Sequence, residues 1–106
     1  MDQGTNLSVL RPFLEALPMI YGQVKVILFG SRARGDDRPN SDYDLLIISK
    51  AFEHIRFYDR QVQVLKLLPR DIEVDVICLT PEEFSKRSKT LSIIGEAARE
   101  GIELTA

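Results

Sequence analysis

Three short segments, residues 24–29 (Val-Lys-Val-Ile-Leu-Phe), 42–49 and 72–79, constrain this chain most: the first is β-branched and aromatic and stopped by Gly30, the second follows a turn-rich stretch and is apolar on both faces from Leu45 to Ile48, and the third is apolar but for its acidic residues. Each predicts a strand. Between the second and third, Ile55, Tyr58, Val62, Leu65 and Leu68 keep the spacing of one helix face and Pro69 ends the run. That stripe predicts a core-facing helix that crosses over between two parallel strands. The link between the first and second strands is shorter and permits an antiparallel pair.

The flanks complete the pattern. Leu7, Leu10, Leu14 and Leu17 predict a first helix, with Asn6 or Ser8 as cap, Pro12 in the first turn and Pro18 near the end. A brief helical segment is expected over 31–35 and a loop over 36–41. Thr80-Pro81-Glu82-Glu83 is the clearest helix start: a capping hydroxyl, a proline at the first helical position and a glutamate at the third. Leu91, Ile94, Ala98 and Ile102, with Gly101 near the end, predict a terminal helix. The order α-β-α-β-α-β-α implies an α/β (α+β) fold, a mixed sheet of about three strands flanked by helices.

Composition narrows the function classes. A chain of 106 residues suits one domain, and roughly 60 to 70% of its unfolded surface can be buried. Fourteen Lys and Arg against 16 Asp and Glu give a net charge of -2, so general adhesion to nucleic acid is not expected. The first residues lack a basic region and a long apolar stretch, and no apolar run approaches membrane-spanning length, so a cytoplasmic protein without membrane contact is expected. The lone Cys78 lies in an apolar run without zinc-ligand partners and reads as a small buried hydrophobe.

Chemistry concentrates in residues 30–44. Asp42 and Asp44 stand one residue apart at the start of a strand, where alternate side chains share a face, so both carboxylates aim at one point. Gly30-Ser31 follows the first strand where a helix begins, a favourable place for a phosphate. In the third strand Asp75 interrupts Val74-Asp75-Val76-Ile77, where an ionised carboxylate is costly unless paired or bound to metal. If strands two and three are parallel neighbours, Asp75 falls beside Asp42 and Asp44. Three carboxylates at such spacing repel by roughly 4 kcal/mol per pair at 4 Å with an effective dielectric of 20, which calls for a hard cation such as Mg²⁺ with a nucleotide. Each feature alone has a plainer explanation: a turn residue for Asp42 or Asp44, an ordinary strand-to-helix turn for Gly30-Ser31, and an ion pair with Arg70 for Asp75.

Taken together, Gly30-Ser31-Arg32-Ala33-Arg34-Gly35, then Ser41-Asp42-Tyr43-Asp44-Leu45 and the distal Val74-Asp75-Val76, resemble the signature of the minimal nucleotidyltransferase family. That family belongs to the superfamily of DNA polymerase beta and kanamycin nucleotidyltransferase. The resemblance spans all three strands, and no motif position departs from the pattern. It implies the nucleotidyltransferase fold and transfer of a nucleoside monophosphate from an NTP to a hydroxyl. Asp42 and Asp44 would hold two Mg²⁺ ions and Asp75 would complete the second ion's shell and assist proton removal. Gly30 and Ser31 with their amides would grip the terminal phosphates, with Arg32 and Arg34 as candidate clamps.

Arg38 and the pair Arg56 and Arg60 read as a solvated face, and His54 as a surface or helix-start residue. No acceptor site is visible in a chain this short. The resemblance therefore implies an acceptor in trans: an antitoxin that adenylylates a tyrosine of an all-helical HEPN toxin with ATP. The rivals are an antitoxin that only occludes its partner, and an enzyme for a small molecule such as an aminoglycoside, for which a homo-oligomer could supply the missing wall.

Overall fold

In the computed structural model, residues 7–30, 43–70, 72–90 and 93–105 are described. A 3-10 turn, Leu7–Leu10, leads into α1 (Arg11–Tyr21), followed by β1 (Lys25–Phe29), β2 (Tyr43–Ile48), a second 3-10 turn (Lys50–His54), α2 (Phe57–Leu65), β3 (Val74–Leu79), α3 (Pro81–Arg87), α4 (Ile93–Glu100) and β4 (Ile102–Leu104). The strands form one sheet in the order β3-β2-β1-β4. β2 pairs parallel with β3, whereas β1 pairs antiparallel with both β2 and β4. The mixed sheet and the crossover helix agree with the sequence. The expected brief helix over 31–35 and loop over 36–41 lie outside the described residues.

Alternation along the strands sorts two cores. On one face Val26, Leu28, Tyr43, Leu45, Ile47, Val76 and Cys78 pack with Leu10, Phe13, Leu14 and Leu17. On the other, Ile27, Phe29, Leu46, Ile48 and Leu79 pack with Ile94 and Ala97 of α4, and Phe84 of α3 closes against them. Cys78 is fully buried, as expected, and burial pushes its thiol up to about 12, so it is no nucleophile at neutral pH.

Three sequence expectations change. The N-cap position of α1 is Leu10, with no side-chain hydrogen bond, rather than Ser8; Asn6 lies outside the described residues. As expected, Pro18 lies near the end of α1, exposed, with Leu17 before it and Tyr21 after it buried. The terminal helix stops at Glu100 and Ile102 enters a fourth strand. A side chain at Gly101 would collide with Ile27 and with the carbonyl oxygens of Ala97 and Leu28, so only glycine lets the chain turn this closely onto β1.

The largest change concerns α2. Tyr58, Val62 and Leu65 are 79, 52 and 45% exposed, and the inward face is carried by Arg60 and Val64. The apolar spacing is real, but it marks the outer side of the helix. Arg60, expected on a solvated face, is buried: its Nε donates to Ile55 O at 2.9 Å, and its Nη1 to Cys78 O at 3.1 Å and Glu83 Oε1 at 2.8 Å. Glu83 is the third residue of α3, and the predicted capping box is present there: Thr80 Oγ1 accepts from Glu83 N, and Glu83 Oε1 accepts from Thr80 N. One carboxylate thus caps α3 and binds the guanidinium that joins α2 to β3.

The hydrogen bond from Arg60 holds the Glu83 carboxyl below its usual range. A depressed carboxyl pKa stabilises the fold fully above the unfolded value, about 4.3, and that contribution is lost as the pH falls through the lowered folded value. Glu83→Gln should therefore cost about 1–2 kcal/mol at neutral pH, a figure reduced because the Glu83 side chain is 38% exposed. In urea denaturation the gap between wild type and variant should close as the pH drops below about 4.

Candidate active site

β1 delivers Gly30 and β2 and β3 deliver two carboxylates to the same end of the sheet. Asp44 stands in register with Asp75 across the parallel β2–β3 pair and with Phe29 across the antiparallel β1–β2 pair. Both aspartates share parity with the residues of the α4-facing core, Leu46 and Ile48 on β2 and Ile77 and Leu79 on β3, so they project from one face. Neighbouring strands lie about 4.8 Å apart, which makes Asp44 and Asp75 immediate neighbours. Between them in environment, Asp44 is partly buried and Asp75 exposed.

Tyr43 points the other way. It is buried to 5% exposure among the α1-side core residues and fixes which face Asp44 must take. Its N–H donates to Glu73 O at 3.0 Å, extending the pairing of β2 with the chain before β3.

Gly30 adopts φ 78°, in the left-handed region, and a Cβ there would fall on Oδ2 of Asp44. Glycine is therefore required twice, for its backbone angle and for the space that the Asp44 carboxylate occupies. The sequence marks Gly30 as a strand stop. Its packing against Asp44 is visible only in three dimensions, because the two residues meet through the β1–β2 register.

Ser31, Arg32, Arg34 and Asp42 lie outside the described residues. Among the described residues no group of three or more His, Cys, Asp or Glu side chains converges as a metal site. Asp44 and Asp75 nonetheless supply carboxylate oxygens only, a donor set suited to a hard divalent cation such as Mg²⁺. No ion pair joins Asp75 to Arg70, so that plainer explanation does not hold. The expectation that Asp75 carries a burial cost also fails, since it faces solvent; what remains unfavourable is its closeness to Asp44. His54 is exposed at the end of its 3-10 turn, distant in sequence and strand position from these carboxylates, and Arg56 is exposed as expected.

No helix among the described residues is long and apolar enough to cross a membrane. The chain is similar to known proteins. Putative protein adenylyltransferase MJ1305 of Methanocaldococcus jannaschii is 33% identical over 101 residues, covering 90% of this chain and 69% of that protein. Putative protein adenylyltransferase MJ0141 of the same organism is 35% identical over 81 residues, covering 76% of this chain and 77% of that protein. The crystal structure of a putative nucleotidyltransferase from Sulfolobus solfataricus matches with a TM-score of 0.69 at 24% identity, over 96% of this chain and 81% of that one, a likeness of fold. The family model described as a nucleotidyltransferase domain matches residues 10–102, a span that holds every strand of the sheet but the end of β4 and both aligned carboxylates. The chain belongs to this nucleotidyltransferase family and is a nucleotidyltransferase enzyme.

Proposed function

We propose that this nucleotidyltransferase moves AMP from ATP to a hydroxyl of another protein, a tyrosine of a helical HEPN-type toxin, and so serves as an antitoxin. The observation that carries the transfer reading is the in-register pair Asp44 and Asp75 beside the left-handed Gly30. Protein as acceptor is supported by the two relatives named as protein adenylyltransferases. The choice of toxin and tyrosine comes from the resemblance of the motifs.

Asp44 and Asp75, with Asp42, would hold Mg²⁺. Bound there, two such ions supply charge neutralisation of the triphosphate and polarisation of the acceptor oxygen. Gly30 keeps the Asp44 carboxylate in place and leaves no side chain between it and the strand end. Ser31 and the neighbouring amides would bind the β- and γ-phosphates, with Arg32 and Arg34 on their outer oxygens. The acceptor hydroxyl attacks the α-phosphorus in line with the bond to the β-phosphate; a new P–O bond forms, that bond breaks, and pyrophosphate leaves. Asp75, being solvent-facing, meets the incoming acceptor and takes its proton.

Intact-mass spectrometry of a helical partner encoded beside this chain, after incubation with the protein, ATP and Mg²⁺, tests the reading. One or more added AMP units are expected, with the rate reduced on the order of 10²-fold or more in Asp44→Asn and Asp75→Asn. A stable complex without mass gain would show neutralisation by occlusion instead. Chelation of divalent cations should abolish the gain, and Ser31→Ala should weaken ATP binding while leaving the fold intact. Gly30→Ala should lower transfer about 10- to 100-fold and cost about 1–3 kcal/mol of stability, measured by urea denaturation, because the new methyl displaces Asp44 and strains the backbone.

A further inference from the structure

The outer face of α2 carries Tyr58, Val62 and Leu65 at positions i, i+4 and i+7, all exposed, and Tyr58 alone is 79% accessible. At 100° per residue these three form one stripe, and Asp59 and Lys66 line the same flank of it. Both charges are exposed, and neither belongs to an ion pair among the described residues. Seven residues apart, roughly 10 Å along the helix, they cannot reach each other. A contiguous apolar stripe of this kind, flanked by opposite charges unpaired among the described residues, is a surface another molecule can cover.

We propose that a second copy of this chain covers the stripe, through antiparallel pairing of α2 with α2 about a twofold axis crossing between positions 62 and 63. The stripe is self-complementary in that arrangement. Val62 meets Val62 of the second copy near the axis, and Tyr58 of each copy lies beside Leu65 of the other. A twofold axis in the contact plane, perpendicular to the helices, keeps each flank on its own side and inverts its direction. Asp59 therefore stands opposite Lys66 of the second copy, and Lys66 opposite the other Asp59. Parallel pairing would separate these flanks and match no charges. On the same flank a shallow depression of about 450 Å³, lined by His54, Ile55, Arg56, Asp59, Val62 and Gln63, accommodates the stem of the entering lysine.

The apolar stripe exposes on the order of 300 Å² per chain, less than the ~800 Å² per partner of a standard interface. The dimer is accordingly weak, with a dissociation constant of roughly 10–100 μM. It depends on the surface of α2 alone and is independent of the catalytic reading.

Sedimentation equilibrium of the intact chain from about 5 to 500 μM spans this range. The weight-average mass should climb from 12.1 kDa towards twice that value. Val62→Asp, which places two like charges at the axis, should weaken association at least about 10-fold. Asp59→Lys sets lysine against lysine at both flanks and should weaken it similarly, while the double variant Asp59→Lys with Lys66→Asp should restore it. A wild type that stays at 12.1 kDa at the highest concentration would overturn the proposal and assign the stripe to a different protein. Unchanged association of Asp59→Lys would overturn it as well.

Discussion

The register between β2 and β3 is the constraint on which the rest depends. In a parallel pair a slip of one residue turns every side chain of one strand to the other face, which would send either Asp44 or Asp75 into the apolar layer beneath α1. Both ends of the pairing are held beyond the ladder: Tyr43 N donates to Glu73 O, and Ser49 N donates to Leu79 O, each at 3.0 Å. β2 is apolar on both faces from Leu45 to Ile48, so its own burial does not select the register, and the end bonds and the alternation of β3 do. Two carboxylates are thereby set side by side at one end of the sheet.

The second organising device is the buried guanidinium of Arg60. It satisfies carbonyls of Ile55 and Cys78 and the Glu83 carboxylate, and it lies 5.8 Å from the Phe52 ring centroid and 5.9 Å from that of Phe57. A charge at 6% exposure is tolerable because Nε and Nη1 bond two carbonyls and a carboxylate, and the aromatic faces stabilise the charge further. The crossover helix, the edge strand and α3 are thereby tied together through one side chain. This same inward role of Arg60 turns Tyr58, Val62 and Leu65 outward.

Legibility in the sequence followed the strength of local signals. The three strand segments, the turn at Gly30 and the capping box at Thr80 are written in a few adjacent residues, and the structure agrees with them. The stripe on α2 was legible as a stripe but not as to side, because periodicity reports that apolar residues share a face and not which surface covers that face. Arg60 escaped for the complementary reason: nothing near it in sequence announces the Cys78 carbonyl or Glu83. β4 was read as helix because Ile102 fits a helical spacing, whereas pairing with Leu28 across the sheet decides its conformation. Of the candidate site, the placement of Asp44, Asp75 and Gly30 at one end of the sheet was legible from motif and parity, and the four remaining motif positions fall outside the described residues.

What the sequence by itself determined is local: where strands begin and end, which residues share a strand face, where α3 is capped, and that carboxylates stand at the start of two strands. What only the tertiary structure decided is which of those faces meet. Asp44 and Asp75 are 31 positions apart, and their adjacency depends on the crossover through α2, while the contact of Gly30 with Asp44 depends on the antiparallel register of β1 with β2. The physical reason is that backbone pairing and burial are many-residue energies: alternation offers each strand two faces, and only the joint packing of both layers selects one.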